Sequence, residues 1–256
     1  MEKMVEICCG SYYDAKQAAI GGAGRIELNS GLTLGGLTPT LATLKLVKES
    51  FPLKVIAMVR PRGAGFCYCE EDFQVMKAEC RTLVEHGADG IAFGCLREDG
   101  SLDEERIKSM LEIIRGGGKE AVFHRAFDCT PDPFKAMERL IALGVTRVLT
   151  SGLQPRAIDG WELLKDLQEC YGSEIEILAG SGVNVSNARK LMELTGVTQV
   201  HSSCKDWKTD PTTVGGKVSY SIASGEHELC YDVVSAELVK QLLDSVSPEK
   251  EGFGLC

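Results

Sequence analysis

The chain has 256 residues, 44% of them hydrophobic, 25% charged and 6% aromatic, which excludes a disordered tail, a collagen-like chain and a disulfide miniprotein. A net charge of −9 excludes the basic field of a nucleic-acid binder. No apolar run approaches the roughly 18 residues of a membrane span, so no membrane partner is expected.

The first residues enter structure directly, with no basic segment followed by an apolar one, so the protein is expected to be cytoplasmic. Its eleven cysteines are odd in number and form no Cys-x-x-Cys pair, the pattern of reduced thiols rather than disulfides.

Taken in chain order, short apolar runs fall at Val5–Cys8, Arg25–Leu28, Lys54–Val59, Gly90–Phe93, Ala121–His124, Arg147–Thr150, Glu174–Ala179 and Gln199–His201. Helical periodicity alternates with them at Tyr13–Ile20, Leu41–Ser50, Glu71–Glu85, Glu104–Ile114, Pro133–Leu143, Ala157–Glu169, Ser186–Leu194 and Ser235–Leu243. Eight such alternations predict an α/β fold, a single (β/α)8 TIM-like barrel spanning 1–256, with 247–256 as a flexible tail. A doubly wound sheet is the rival, but no Gly-x-Gly-x-x-Gly follows the first strand. Every second strand is approached through a glycine, at Gly22, Gly87, Gly144 and Gly196, which suits left-handed helix caps and suggests four quarter-units.

Side chains alternate along a strand. If Val5, Ile7, Ile26 and Leu28 face the helices, then Glu6, Cys8, Arg25, Glu27 and Asn29 face the lumen, and Arg60, His124, Glu176 and His201 follow by the same rule. Barrel active sites lie at the C-terminal strand ends. There Glu6, Glu27, Arg60, His124 and Asp128 are candidates for acid/base catalysis, although Asp128 would equally serve to orient Arg125. Gly180, Ser181, Gly182, Ser202 and Ser203 are placed to cradle an anion, with Arg60, Arg62 or Arg125 to hold a second anionic group. Seven cysteines fall at strand ends or in the loops after them, where thiolates would select a soft ion such as Cu(I).

The segments Val5–Cys9, Gly35–Thr40, Val59–Gly63, Phe123–Asp128, Arg147–Gly152, Ala179–Val183 and Val200–Ser203 together resemble the CutC copper homeostasis family. The resemblance implies a cytoplasmic TIM-like barrel, a homo-oligomer, and copper handling with Cu(I) on cysteines. Cys8 matches one proposed ligand. The position of its second-strand partner is occupied here by Asn29, a poor Cu(I) ligand, so Cys9, Cys95 or His201 are the available substitutes. Two functions follow: copper binding through thiolates, or an enzyme acting on a small anionic or phosphorylated substrate in a charged lumen.

Overall fold

Apolar runs of four to six residues, each leading into an amphipathic helix, bury both faces only when they lie parallel between a lumen and a helical layer. The computed structural model, which describes residues 3–247, meets this condition with a closed barrel. Its strands are β1 (Met4–Cys9), β2 (Arg25–Leu28), β3 (Lys54–Met58), β4 (Gly90–Phe93), β5 (Glu120–Phe123), β6 (Arg147–Thr150), β7 (Glu176–Gly180) and β8 (Gln199–Ser202). They pair in chain order, all parallel, and β8 closes on β1 with Glu6 opposite His201. Around them run α1 (Tyr12–Ile20), α2 (Leu41–Ser50), α3 (Glu70–Glu85), α4 (Glu104–Gly116), α5 (Pro133–Leu143), α6 (Trp161–Tyr171), α7 (Ala188–Thr195) and α8 (Ala236–Val246). This is the (β/α)8 fold that the alternation predicts. The expected tail lies outside the described residues, apart from Ser247.

The four repeat glycines, Gly22, Gly87, Gly144 and Gly196, have φ between +75° and +98°, a region that side chains with a Cβ rarely adopt. Two helices begin later than their periodicity suggests. The segment before α6 is held as turns because the backbones of Gly152 and Gly160 meet with no room for a Cβ on either. Before α7, Asn187 Oδ1 accepts the amide of Asn184, and Asn184 Oδ1 accepts that of Ser186, which closes local turns in place of a helical start.

Between β8 and α8 the chain makes an antiparallel ribbon of β9 (Lys205–Thr209) and β10 (Cys230–Val234), which strand–helix alternation does not anticipate. The buried Asp14 carboxylate ties it to the barrel by accepting the amides of Gly10 and Val234.

The lumen is divided by strand. On the β3–β7 side Ile56, Met58, Ala92, Val122, Leu149 and Leu178 form a packed apolar cluster. On the β8–β1–β2 side the inward residues are Glu6, Cys8, Arg25, Glu27, Asn29 and His201, and all but half-buried Cys8 are buried. The charged groups expected from side-chain parity thus meet along this side of the lumen, while on the other side an apolar cluster separates Arg60 and His124, toward the C-terminal strand ends, from Arg147 at the other end. Toward the N-terminal strand ends, buried Arg147 pairs with Glu176 at 2.7 Å and Glu120 at 3.2 Å, and Lys54 also pairs with Glu120.

Glu6 joins these regions: Oε2 lies 2.6 Å from Arg25 Nε, and Oε1 lies 3.0 Å from His201 Nδ1. Burial opposes ionisation, but the His201 hydrogen bond and the Arg25 charge outweigh it and hold the Glu6 carboxyl near 2. Because this folded-state value is depressed, the interaction stabilises the protein above an ordinary carboxyl pKa and is lost as pH falls toward 2. Replacing Glu6→Gln leaves Arg25 uncompensated and should cost about 3–5 kcal/mol at pH 7 in urea unfolding. The difference from wild type should shrink between pH 4.5 and pH 2; a constant difference there would show that the Glu6 charge carries no stability.

Candidate functional site

The ends of β1, β2 and β8 bring three ligating atoms together. Cys8 Sγ, one Glu27 carboxylate oxygen and one His201 ring nitrogen lie within 4.8 Å of one another. Glu27 Oε2 is 3.8 Å from both Cys8 Sγ and His201 Nε2. The convergence follows from register: Cys8 is opposite Glu27 in the β1–β2 pair, and Glu6, two residues before Cys8 on the same face, is opposite His201 in the β1–β8 pair.

Glu6 does more than neutralise Arg25. By taking the Nδ1–H of His201 it directs Nε2 toward Cys8 and Glu27, the carboxylate–histidine arrangement that orients metal-binding imidazoles. Burial would lower the His201 pKa, but its bonds to Cys8 and Glu6 and the Glu27 charge raise it well above the ordinary value. Burial pushes the Cys8 thiol up to about 11 against the pull of His201. Burial also raises Glu27, with the Glu6 charge adding to the effect. The cluster without a metal is therefore rich in protons that a cation could displace.

Asn29 adjoins the cluster. Its Nδ2 lies 2.9 Å from Glu27 Oε2 and 3.6 Å from Cys8 Sγ, so position 29 reaches the thiol even though it carries an amide. Two other thiols do not reach it. Cys9 faces the helical layer and donates to its own strand at Ile7 O, and Cys95 is buried in the outer core.

A cavity of about 360 Å³ opens above the cluster. Cys8, Glu27 and His201 lie on one side, and Arg60, Phe66, His124 and Arg125 line another. His124 Nδ1 accepts the Ala126 amide at 3.1 Å, so in the neutral ring the proton is on Nε2. Burial and the Arg60 charge lower its pKa to about 3, which keeps the ring neutral. With Nδ1 occupied, His124 has Nε2 left to offer, and that atom has no partner among the described residues. Gly94 makes space for the ring, since a Cβ there would lie 2.7 Å from His124 Cε1.

Asp128 and Arg62 do not line the cavity. Asp128 accepts the hydroxyls of Thr150 and Ser151, backbone amides of the β6 loop and Nε of Arg125. These bonds tie Asp128 to that loop. Arg62 is paired with Asp72 and bonds the carbonyls of Gly63, Gly65 and Cys67.

Ser181, Gly182, Ser202 and Ser203 do share a cavity wall, with Ser181 and Gly182 at φ +83° and +68°. The hydroxyls of Ser181 and Ser202 are turned away, to the carbonyls of Pro155 and Val183. Gly180 lies against the His201 side chain instead, where a Cβ would come 3.2 Å from His201 Cβ. Among the lining residues absent from the sequence expectation are Leu32, Phe66, Lys205 and Asp232. The last two come from the ribbon, whose register brings together residues far apart in the chain.

Residues 3–206 match the CutC family, a span that ends as β9 begins. The chain is 47% identical over 209 residues to a CutC family protein of Treponema denticola, covering 82% of this chain and 84% of that protein. It is 42% identical over 202 residues to the human copper homeostasis protein cutC homolog, covering 79% of this chain and 73% of that one. The crystal structure of CutC from Streptococcus agalactiae superimposes with a TM-score of 0.75 at 31% identity, over 78% of this chain and 98% of that one. By sequence and by fold, this chain belongs to the CutC family.

Proposed function

We propose that the protein serves copper homeostasis in the cytoplasm by holding Cu(I) between the Cys8 thiolate and His201 Nε2. The observation that carries this reading is the convergence of Cys8, Glu27 and His201 at the ends of three adjacent strands. The copper homeostasis role named for the human relative supports it. A thiolate with an imidazole suits a soft or borderline ion, and Cu(I) accepts low coordination numbers.

Glu27 is a hard oxygen donor and a weak partner for Cu(I). Its place beside the thiol suits it to receive the Cys8 proton as the metal arrives. Glu6 keeps Nδ1 protonated throughout, so His201 offers one nitrogen only.

A Cu(I) competition titration under reducing conditions should find one tight site per chain. Cys8→Ser and His201→Asn should each weaken it, by roughly the 10–100-fold or more seen when metal-site groups are lost. Asn29→Cys should strengthen it by adding a second thiolate near Cys8. Unchanged affinity in Cys8→Ser would move binding elsewhere, for instance to the exposed pair Cys67 and Cys69.

Proton linkage provides a separate check. Both Cys8 and His201 bind protons more tightly than their ordinary values imply, and both must release one to coordinate. Affinity should therefore rise with pH between 6 and 8, with about one to two protons released per Cu(I), read from calorimetry in buffers of different ionisation enthalpy. Binding that is independent of pH would exclude these ligands.

A further inference from the structure

The cavity has a second pole, and its charge is unbalanced. Arg60, 5% exposed, gives Nη1 to the carbonyls of Leu34 and Gly36 and Nη2 to that of Ala64, with the Tyr68 hydroxyl close by. Among the described residues no carboxylate lies within ion-pair distance of it. Carbonyl dipoles solvate a buried guanidinium but do not neutralise it, and a buried charge without a counter-ion is costly.

His124 is 3% exposed, and its Nε2 has no partner. The Phe66 ring touches both groups, 4.9 Å from the His124 ring centroid and 5.3 Å from Arg60 Cζ. All three line the same cavity. The nearby Arg125 is already paired with Asp128 at 2.7 Å and adds little net charge.

We propose that the β3–β5 side of the cavity receives the carboxylate of a small organic acid, which accepts the His124 Nε2–H and neutralises Arg60. The single guanidinium charge of Arg60, without an ion-pair partner, is matched one for one by a monoanion such as a carboxylate. The rest of such a ligand would extend toward Cys8 and His201 in the same cavity, whose size suits a small molecule.

This inference stands apart from the copper reading, and its test uses the metal-free protein. Acetate is the probe, compared with chloride and inorganic phosphate at matched ionic strength. Acetate should raise the melting temperature above the chloride value by mass action and should shift the His124 Nε2–H signal in NMR spectra. His124→Phe should weaken acetate binding by roughly 10-fold or more, the loss expected for a buried hydrogen bond to a charged group. Arg60→Gln should remove the acetate-specific stabilisation; if that variant does not fold, His124→Phe and the wild-type NMR shift decide. Equal melting in acetate and chloride with an unmoved His124 signal, a larger effect of phosphate than of acetate, or full acetate affinity in His124→Phe would each overturn the assignment.

Discussion

The cavity depends on one carboxylate. Glu6 is buried on β1 and divides its two oxygens between Arg25, below it in the lumen, and His201, beside it on β8. Without this pairing the polar sector would contain an unbalanced guanidinium and an imidazole free to turn. With it, the imidazole has one orientation and one nitrogen facing Cys8 and Glu27. Stability and site geometry therefore rest on the same ion pair, and the polar residues of the lumen cannot be sorted cleanly into structural and functional ones.

The division of the lumen explains why a barrel can hold so many charges. Five consecutive strands supply the apolar packing that a barrel core needs, through Ile56, Met58, Ala92, Val122, Leu149 and Leu178. That lets β8, β1 and β2 carry ionisable groups in mutual contact, while Arg147 pairs with Glu176 and Glu120 at one end of the apolar cluster and Arg60 and His124 lie at the other. The apolar plug also lies below the cavity, so the two poles above it meet in a space walled by Phe66, Leu149 and Met58, where charges are weakly screened.

Much of this was legible in the sequence. The period-two rule put Glu6, Cys8, Glu27, Arg60, His124 and His201 on the lumen face, and repeat glycines marked the strand entries. Roles were harder to read than positions. His124 and Asp128 look like an acid/base pair four residues apart. However, a 3-10 turn over Arg125–Cys129 commits His124 Nδ1 to the Ala126 amide and sends Asp128 to the β6 loop. Cys9 resembles Cys8 in type but falls on the opposite face of the strand. The ribbon residues Lys205 and Asp232 carried no signal, because their approach to the cavity depends on pairing across a long excursion that no local pattern encodes.

The central claim is that one thiolate and one oriented imidazole form the copper site. X-ray absorption at the copper edge, on protein loaded with one equivalent of Cu(I), addresses it most directly. The spectrum should require both a sulfur and a nitrogen scatterer, with the outer-shell pattern of an imidazole ring, and that pattern should vanish in His201→Asn. A spectrum fitted by sulfur alone, and unchanged in His201→Asn, would contradict the account.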